Sequence, residues 1–456
     1  MDEQFVGWGG EDDAWFARAC MLGRAAATRG RSIVYHLHHA RSAACPDHAT
    51  SNPHYAANVS RLSRIRAART PHALLRIWPA PGQAVEPELP SCGNGVRIAY
   101  IGNFRPTYSH ETHLAASFEA LGHSVVRIQE NTASPVGVAR ACEEADLLLW
   151  TRTWGLQWRG VDVRAWLKDL GHRHGIPTVS EHPDLYVGLD RGQALSSDPF
   201  WCTDFVFTAD GGSPAAFERM GIRHYPLRAA VYGRDCVLAE HDPALAAEVA
   251  FVGSGTLDGR IYHREWPYRR ELLQFLVKTY GTRFRKHGAQ PIHGGLAFVR
   301  EKRLNQVYAS TRVVVGDTLC LGPEDSLEPR FQHAEYWSDR IYETLGRGGF
   351  LIHPYICGLE REFTDGVHLR YYTYGDFAQL RRLIDHYLDD ANADERERIR
   401  LAGHQHAAQS CTYAHRAAYL LGVVAARHSR LAERVPMIKD PGQWPGGAGY
   451  PLQGQA

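Results

Sequence analysis

The chain has no Cys-x-x-Cys pair, no apolar run near the roughly 20 residues that span a bilayer, and almost no net charge, +1 over 456 residues. The nine cysteines stand far apart, which argues against a disulfide framework or a Cys-ligated zinc site. They are expected to be reduced thiols, as in a cytoplasmic protein. A balanced charge gives no bulk attraction to nucleic acid or to an anionic membrane. The opening Met1-Asp2-Glu3 does not read as a signal peptide. What remains, 44% hydrophobic and 22% charged residues, is the make-up of a water-soluble globular protein. The length predicts two or three domains.

Residues 67–95 change the texture. Pro71, Pro79, Pro81, Pro87 and Pro90 break any helix or central strand, and Gly93-Asn94-Gly95 makes a turn. A linker is expected at 71–95, after a short segment 1–70. Residues 96–245 then alternate short apolar strands, the first Val96–Ile101, with helical spacings such as Leu114, Phe118 and Leu121 behind a Ser109 cap. The pattern restarts near 246 and continues to 430, and a Pro/Gly-rich tail fills 431–456. Strands alternating with helices predict parallel sheets covered on both faces. The expected fold class is α/β, with two Rossmann-like domains facing a cleft.

Ligands of open parallel sheets bind at the carboxyl ends of the strands. That rule selects the loops carrying Asn103, Arg152 with Trp154, Glu181-His182-Pro183-Asp184, Gly253-Ser254-Gly255 and Gly316-Asp317-Thr318. A sixth element is a helix capped by Ser338 or Asp339 and turned by Gly346–Gly349 into a strand. Helix N-termini attract phosphate, and Arg340 in the first turn adds a charge-assisted contact. Glu343, one turn on, has the geometry to accept from ribose hydroxyls. The plain alternative is an Arg340–Glu343 ion pair. His182 is the favoured histidine for binding a sugar hydroxyl or carrying a proton, with His110 and His113 as alternatives. Trp154, Trp158 and Trp201 have faces that suit sugars, although such residues more often pack in cores.

The stretch Tyr342–His353, continued by Pro354, Gly358-Leu359, Phe363, Asp365-Gly366 and Tyr371-Tyr372, resembles the donor half of GT-B glycosyltransferases, nearest to the spore-maturation-protein-type group. Gly403, Thr412-Tyr413 and Arg416 resemble that group's C-terminal signature. The resemblance spans about 96–430. It implies that Glu343 holds the donor ribose and Arg340 the diphosphate, and that Gly253 and Ser254 approach the phosphates; among the strand-end residues, Asp317 is a further donor-side candidate and Asn103, Arg152, Trp154 and Glu181 are acceptor-side candidates. Glu181-His182 resembles the Glu-His-Asp run of retaining members. No cofactor is implied beyond the nucleotide-sugar co-substrate.

Phe5-Val6-Gly7-Trp8-Gly9-Gly10-Glu11-Asp12-Asp13 resembles the acceptor loop of inverting GT-A galactosyltransferases, and His36 and His39 match that family's metal-site region. The match ends near 66 and is an incomplete GT-A segment. The chain also lacks the Asp-x-Asp that holds Mn²⁺ on a diphosphate, so Mn²⁺ enters only if this fragment is active, for instance docked on a separate polypeptide. The expected activity is metal-independent, retaining sugar transfer from a nucleoside-diphosphate sugar to a glycan, protein, lipid-linked or nucleobase acceptor. The rival is a non-catalytic carbohydrate or nucleotide binder on the same fold.

Overall fold

The computed structural model describes residues 95–189, 198–212, 214–255, 267–319 and 334–437, all within the unit Leu89–Ala456. The N-terminal segment with Trp8, Glu11, Asp12, His36 and His39, nearly all of the linker, and the tail past Met437 lie outside the described residues.

The first sheet contains β1 (Arg97–Gly102), β2 (Ser124–Gln129), β3 (Leu147–Thr151), β4 (Thr178–His182), β5 (Phe205–Thr208) and β6 (His224–Pro226), ordered β2-β1-β3-β4-β5-β6. The second contains β7 (Ala247–Val252), β8 (Phe284–His287), β9 (Thr311–Val315), β10 (Leu351–Pro354) and β11 (Arg370–Tyr372), ordered β11-β10-β9-β7-β8. Every pairing is parallel. All five residues of β3 are buried, as a strand covered on both faces requires. In each sheet the order reverses beside the first strand, between β1 and β3 and between β7 and β9. Such switch points open a crevice at the carboxyl ends, and that places the site.

Local chemistry sets the helices. In α1 (His110–Ala120) the Ser109 hydroxyl accepts from the Thr112 amide, and Leu114 and Phe118 are buried on one face. Ser134 caps α2 (Pro135–Glu143), which has Pro at its first position, and Asp162 caps α3 (Val163–His174). After the short α4 (Pro214–Arg219) come α5 (Pro267–Tyr280), α6 (Glu301–Ala309), α7 (Asp339–Gly346), α8 (Phe377–Leu388) and α9 (Ala393–Ser410). Thr412 and His415 form a capping box on α10 (Tyr413–Ala425), followed by α11 (Ser429–Ala432).

One finding differs from the sequence expectation. The sequence pattern assigns 413–430 to the second domain, yet α10 packs into the first core. Tyr413, Tyr419, Leu420, Leu421, Val423 and Val424 join Val96, Leu114, Phe118 and Phe207. The four aliphatic residues are fully buried, each contributing roughly 1.5–3 kcal/mol. The chain crosses back beside its outward crossing, where the Val231 amide donates to the Cys411 carbonyl at 3.1 Å and the Tyr413 amide to the Val231 carbonyl at 3.1 Å.

Candidate functional site

A cleft of about 630 Å³ runs between the two sheets. Tyr108, Ser109, His110 and His113 line it from the first domain, Gly253, Ser254, Arg340, Glu343 and Arg347 from the second, and Tyr413 from the returning helix.

On the second-domain side, β7 ends in Gly253-Ser254. The Gly253 amide donates to the His287 carbonyl at 2.9 Å and is thereby taken up within the fold. A Cβ there would stand 2.9 Å from the Phe251 ring and 3.6 Å from Arg340 Nη1. Ser254 is tied back by Arg269, whose Nη1 donates to its carbonyl at 3.3 Å and reaches its hydroxyl at 3.4 Å. Arg269 Nε also donates to Asp317 Oδ2 at 2.8 Å. Asp317 is 0% exposed and is not part of the cleft lining. The structure therefore places it behind the Gly253-Ser254 turn, anchoring Arg269, and not in contact with the cleft.

Arg340 and Glu343 both face the cleft from α7, but they are not paired with each other in a salt bridge. Arg347 Nε donates to Glu343 Oε2 at 2.5 Å, Nη2 to Asp235 Oδ2 at 2.5 Å, and Nη1 to Asn305 Oδ1 at 2.5 Å. Burial raises the Glu343 pKa, Arg347 opposes that, and Asp339 adds to it. Ser338 stands at the N-cap position of α7 without making a side-chain cap, and Asp339 occupies the first turn. Asp339 works against an anion at this helix end, so Arg340 has to outweigh it there.

On the first-domain side a buried chain of hydrogen bonds leads into the cleft. Tyr100 bonds the Thr151 hydroxyl at 2.8 Å, and Thr151 donates to Glu181 Oε2 at 2.8 Å. The same oxygen takes His110 Nε2 at 2.9 Å, and His110 Nδ1 meets the Tyr413 hydroxyl at 3.1 Å. Glu181 is only 1% exposed. Burial opposes a charged His110, but the Glu181 carboxylate outweighs it, and the His110 pKa is raised. His113 stacks on Tyr232 at 4.3 Å, and burial lowers its pKa to about 4, so it packs as a neutral ring.

His182 lies apart. It is not in the cleft lining, its Nδ1 is 3.9 Å from Asp184 Oδ2, and its ring meets Tyr186 and Phe200 edge-on. Asn103 is part of the α1 entry loop, its carbonyl accepting from the Ser109 hydroxyl at 2.8 Å. Arg152 pairs with Asp198 at 2.6 Å. Trp158 and Trp201 pack, the first donating to the Ala133 carbonyl at 2.9 Å, the second buried against Tyr186 and Phe200. The cleft-lining residues that sequence reasoning missed are Arg347, Asp235 and Tyr413, and it also missed Arg269, which ties back the Ser254 turn from behind. Arg269 carried a signal, a cation in the first turn of the helix that follows the Gly253 loop.

Residues 264–422 match a family model described as glycosyl transferase-like. No curated protein matches the chain. Among solved structures, HepE of Anabaena in complex with UDP and glucose aligns with TM-score 0.44 and 13% identity, covering 73% of this chain and 100% of that one. A glycosyltransferase from Rickettsia africae gives 0.47 and 11%, over 75% and 100%. Sucrose-phosphate synthase from Thermosynechococcus elongatus gives 0.42 and 12%, over 71% and 97%. Likenesses this distant carry no functional argument. The fold is mixed α/β with two parallel Rossmann-type sheets, and the stretch 264–422 is similar in sequence to the glycosyl transferase-like family. Among the described residues no helix is long and apolar enough to cross a membrane, and no group of three or more His, Cys, Asp or Glu residues is placed to hold a metal ion.

Proposed function

We propose that the chain transfers a glycosyl group from a nucleoside-diphosphate sugar to an acceptor hydroxyl without a metal, as a GT-B enzyme of the spore-maturation-protein type. The observation that carries this reading is the cleft itself. Arg340 and the side-chain-free Gly253 stand on one wall, and a carboxylate-backed histidine stands on the other. The family match over 264–422 supports it.

In this reading the diphosphate lies against Gly253-Ser254 and the start of α7, where Arg340 stabilises the charge that develops as the sugar–phosphate bond breaks. Glu343, fixed by Arg347, accepts from the ribose hydroxyls. His110 is favoured over His182 as the proton-handling histidine. The Tyr413 hydroxyl takes the acceptor proton and passes its own to His110 Nδ1, while Glu181 holds Nε2–H and stabilises the imidazolium. The acceptor oxygen bonds the anomeric carbon as the diphosphate leaves. A base on the wall opposite the leaving group favours in-line displacement with inversion. Retention, expected from Glu181-His182, would instead have the leaving phosphate oxygen take the proton.

The test is a screen of UDP-, GDP-, ADP- and TDP-sugars for nucleoside diphosphate release, followed by proton NMR of the product. With Glu181→Gln, His110 loses the charge that raises its pKa. Activity requires neutral His110, so the acid limb of the pH–rate profile is expected to move to lower pH, with a reduced maximum. An unshifted limb, or a product of retained configuration, overturns the base role. Absence of release from every donor overturns the transferase reading and leaves the non-catalytic binder.

A further inference from the structure

The carboxyl end of β3 carries a device that the proton relay and the donor wall do not use. Among the described tryptophans Trp154 alone is exposed, at 44%. Its backbone is nonetheless tightly held. Glu130, itself buried, accepts from the Thr153 amide at 2.9 Å, the Trp154 amide at 2.7 Å and the Gly155 amide at 3.1 Å, and from the Trp150 indole at 2.7 Å. Four donors on one carboxylate make an anchored turn, and Gly155, at φ +88°, supplies the left-handed residue that closes it. Exposing an indole forgoes the stabilisation its burial would bring. A fold that fixes the backbone beneath an exposed indole has pre-organised a flat apolar plate for a ligand.

The position indicates which ligand. The turn lies at the switch point between β1 and β3, where ligands of such sheets bind. It is joined to the relay, because the Thr153 hydroxyl donates to Glu111 Oε1 at 3.0 Å and Glu111 follows His110 in α1. Beside it is the Arg152–Asp198 pair at 2.6 Å, with Arg152 Nε buried and without a hydrogen-bond partner among the described residues. A pyranose ring has an apolar C–H face and a rim of hydroxyls. An indole face matches the first, and a planar guanidinium beside a carboxylate matches vicinal hydroxyls.

We propose that Trp154, with Arg152 and Asp198, forms an acceptor subsite, and that the acceptor is a saccharide whose ring stacks on the Trp154 indole. The inference rests on the transferase reading for the word acceptor, but the binding can be read without turnover.

The experiment prints gluco-, galacto-, manno- and chito-oligosaccharides on an array and probes it with the labelled full chain, then titrates the positive saccharides in solution. The wild-type chain is expected to bind at least one series, Trp154→Phe to stay within about threefold, and Trp154→Ala to lose about tenfold or more, roughly 1.4 kcal/mol. Failure of the wild-type chain to bind any saccharide, or equal binding by Trp154→Ala, overturns the proposal. Donor release is scored separately. Saccharide binding that depends on Trp154, with no release from any nucleotide-sugar, refutes the transferase reading and leaves the saccharide site standing. Release with binding indifferent to Trp154 does the reverse.

Discussion

Replacing Asp317 by alanine should destabilise the protein by about 3–5 kcal/mol, the cost of stripping one partner from a buried ion pair. Asp317 is 0% exposed, its partner Arg269 has a side chain only 9% exposed, and the two meet at 2.8 Å. The upper part of the range is expected, because Asp317 also faces Arg340. Burial first, and Arg340 second, already lower the Arg269 pKa, so without the carboxylate two guanidinium groups oppose each other. The bonds from Arg269 to Ser254 recover only a little, since both are long. The pH dependence has a definite sign. Burial works against charge on Asp317, but Arg269 and Arg340 outweigh it, so its folded-state pKa lies below the ordinary value of about 3.9. Its stabilising contribution is complete above that ordinary value and is lost as pH falls through the depressed one. Urea unfolding followed by circular dichroism measures the effect, and Asp317→Asn should flatten the acid limb. Adding Arg269→Met to Asp317→Ala should restore part of the loss, since an apolar side chain needs no counter-charge. A variant with the wild-type unfolding midpoint that has lost only nucleotide affinity would refute this reasoning and return Asp317 to the donor site.

Glu343→Ala should weaken nucleoside diphosphate binding by about 1.5–3 kcal/mol, the range for hydrogen bonds to a charged group. Calorimetry with the nucleoside diphosphate of whichever donor is turned over checks it, and unchanged affinity in a variant of normal stability removes Glu343 from the site. Activity should survive EDTA and Asp12→Asn, whereas Arg340→Ala should lower turnover by about 10²–10³-fold, as for loss of one stabiliser of developing charge. The opposite pattern in the same steady-state assay would move the chemistry to residues 1–66.

The strands and helices were legible because their signals are local. Ser109 caps the helix it precedes, and Leu114 and Phe118, at the helical spacing read from the sequence, are buried on its core face. Arg340, Glu343, Gly253 and Ser254 meet in one cleft because the strand-end rule is topological. What local pattern does not encode is pairing across long separations. Glu181 reads as the neighbour of His182 in sequence, but alternate residues of a strand face opposite sides, and its carboxylate turns to His110, 71 residues away. Tyr413 stands in the sequence only as part of the Thr412-Tyr413 signature, and its partnership with His110 spans 303 residues. Asp317 sits at a strand end, as donor ligands do. Only the position of Arg269 shows that it faces inward.

The return of α10 to the first core has a consequence for how the chain is made. The second domain is an insertion, continuous in sequence, and its sheet is complete once Tyr372 has been synthesised. The first domain begins earlier and finishes later. The apolar surface formed by Val96, Leu114, Phe118 and Phe207 waits for Tyr413–Ala425, more than two hundred residues after Phe207. Where multidomain chains usually complete their N-terminal domain first, synthesis here closes the second domain before the first. A chain released with its end at Ser410 would therefore hold a complete second sheet beside an open first core, and would present the uncovered face to chaperones.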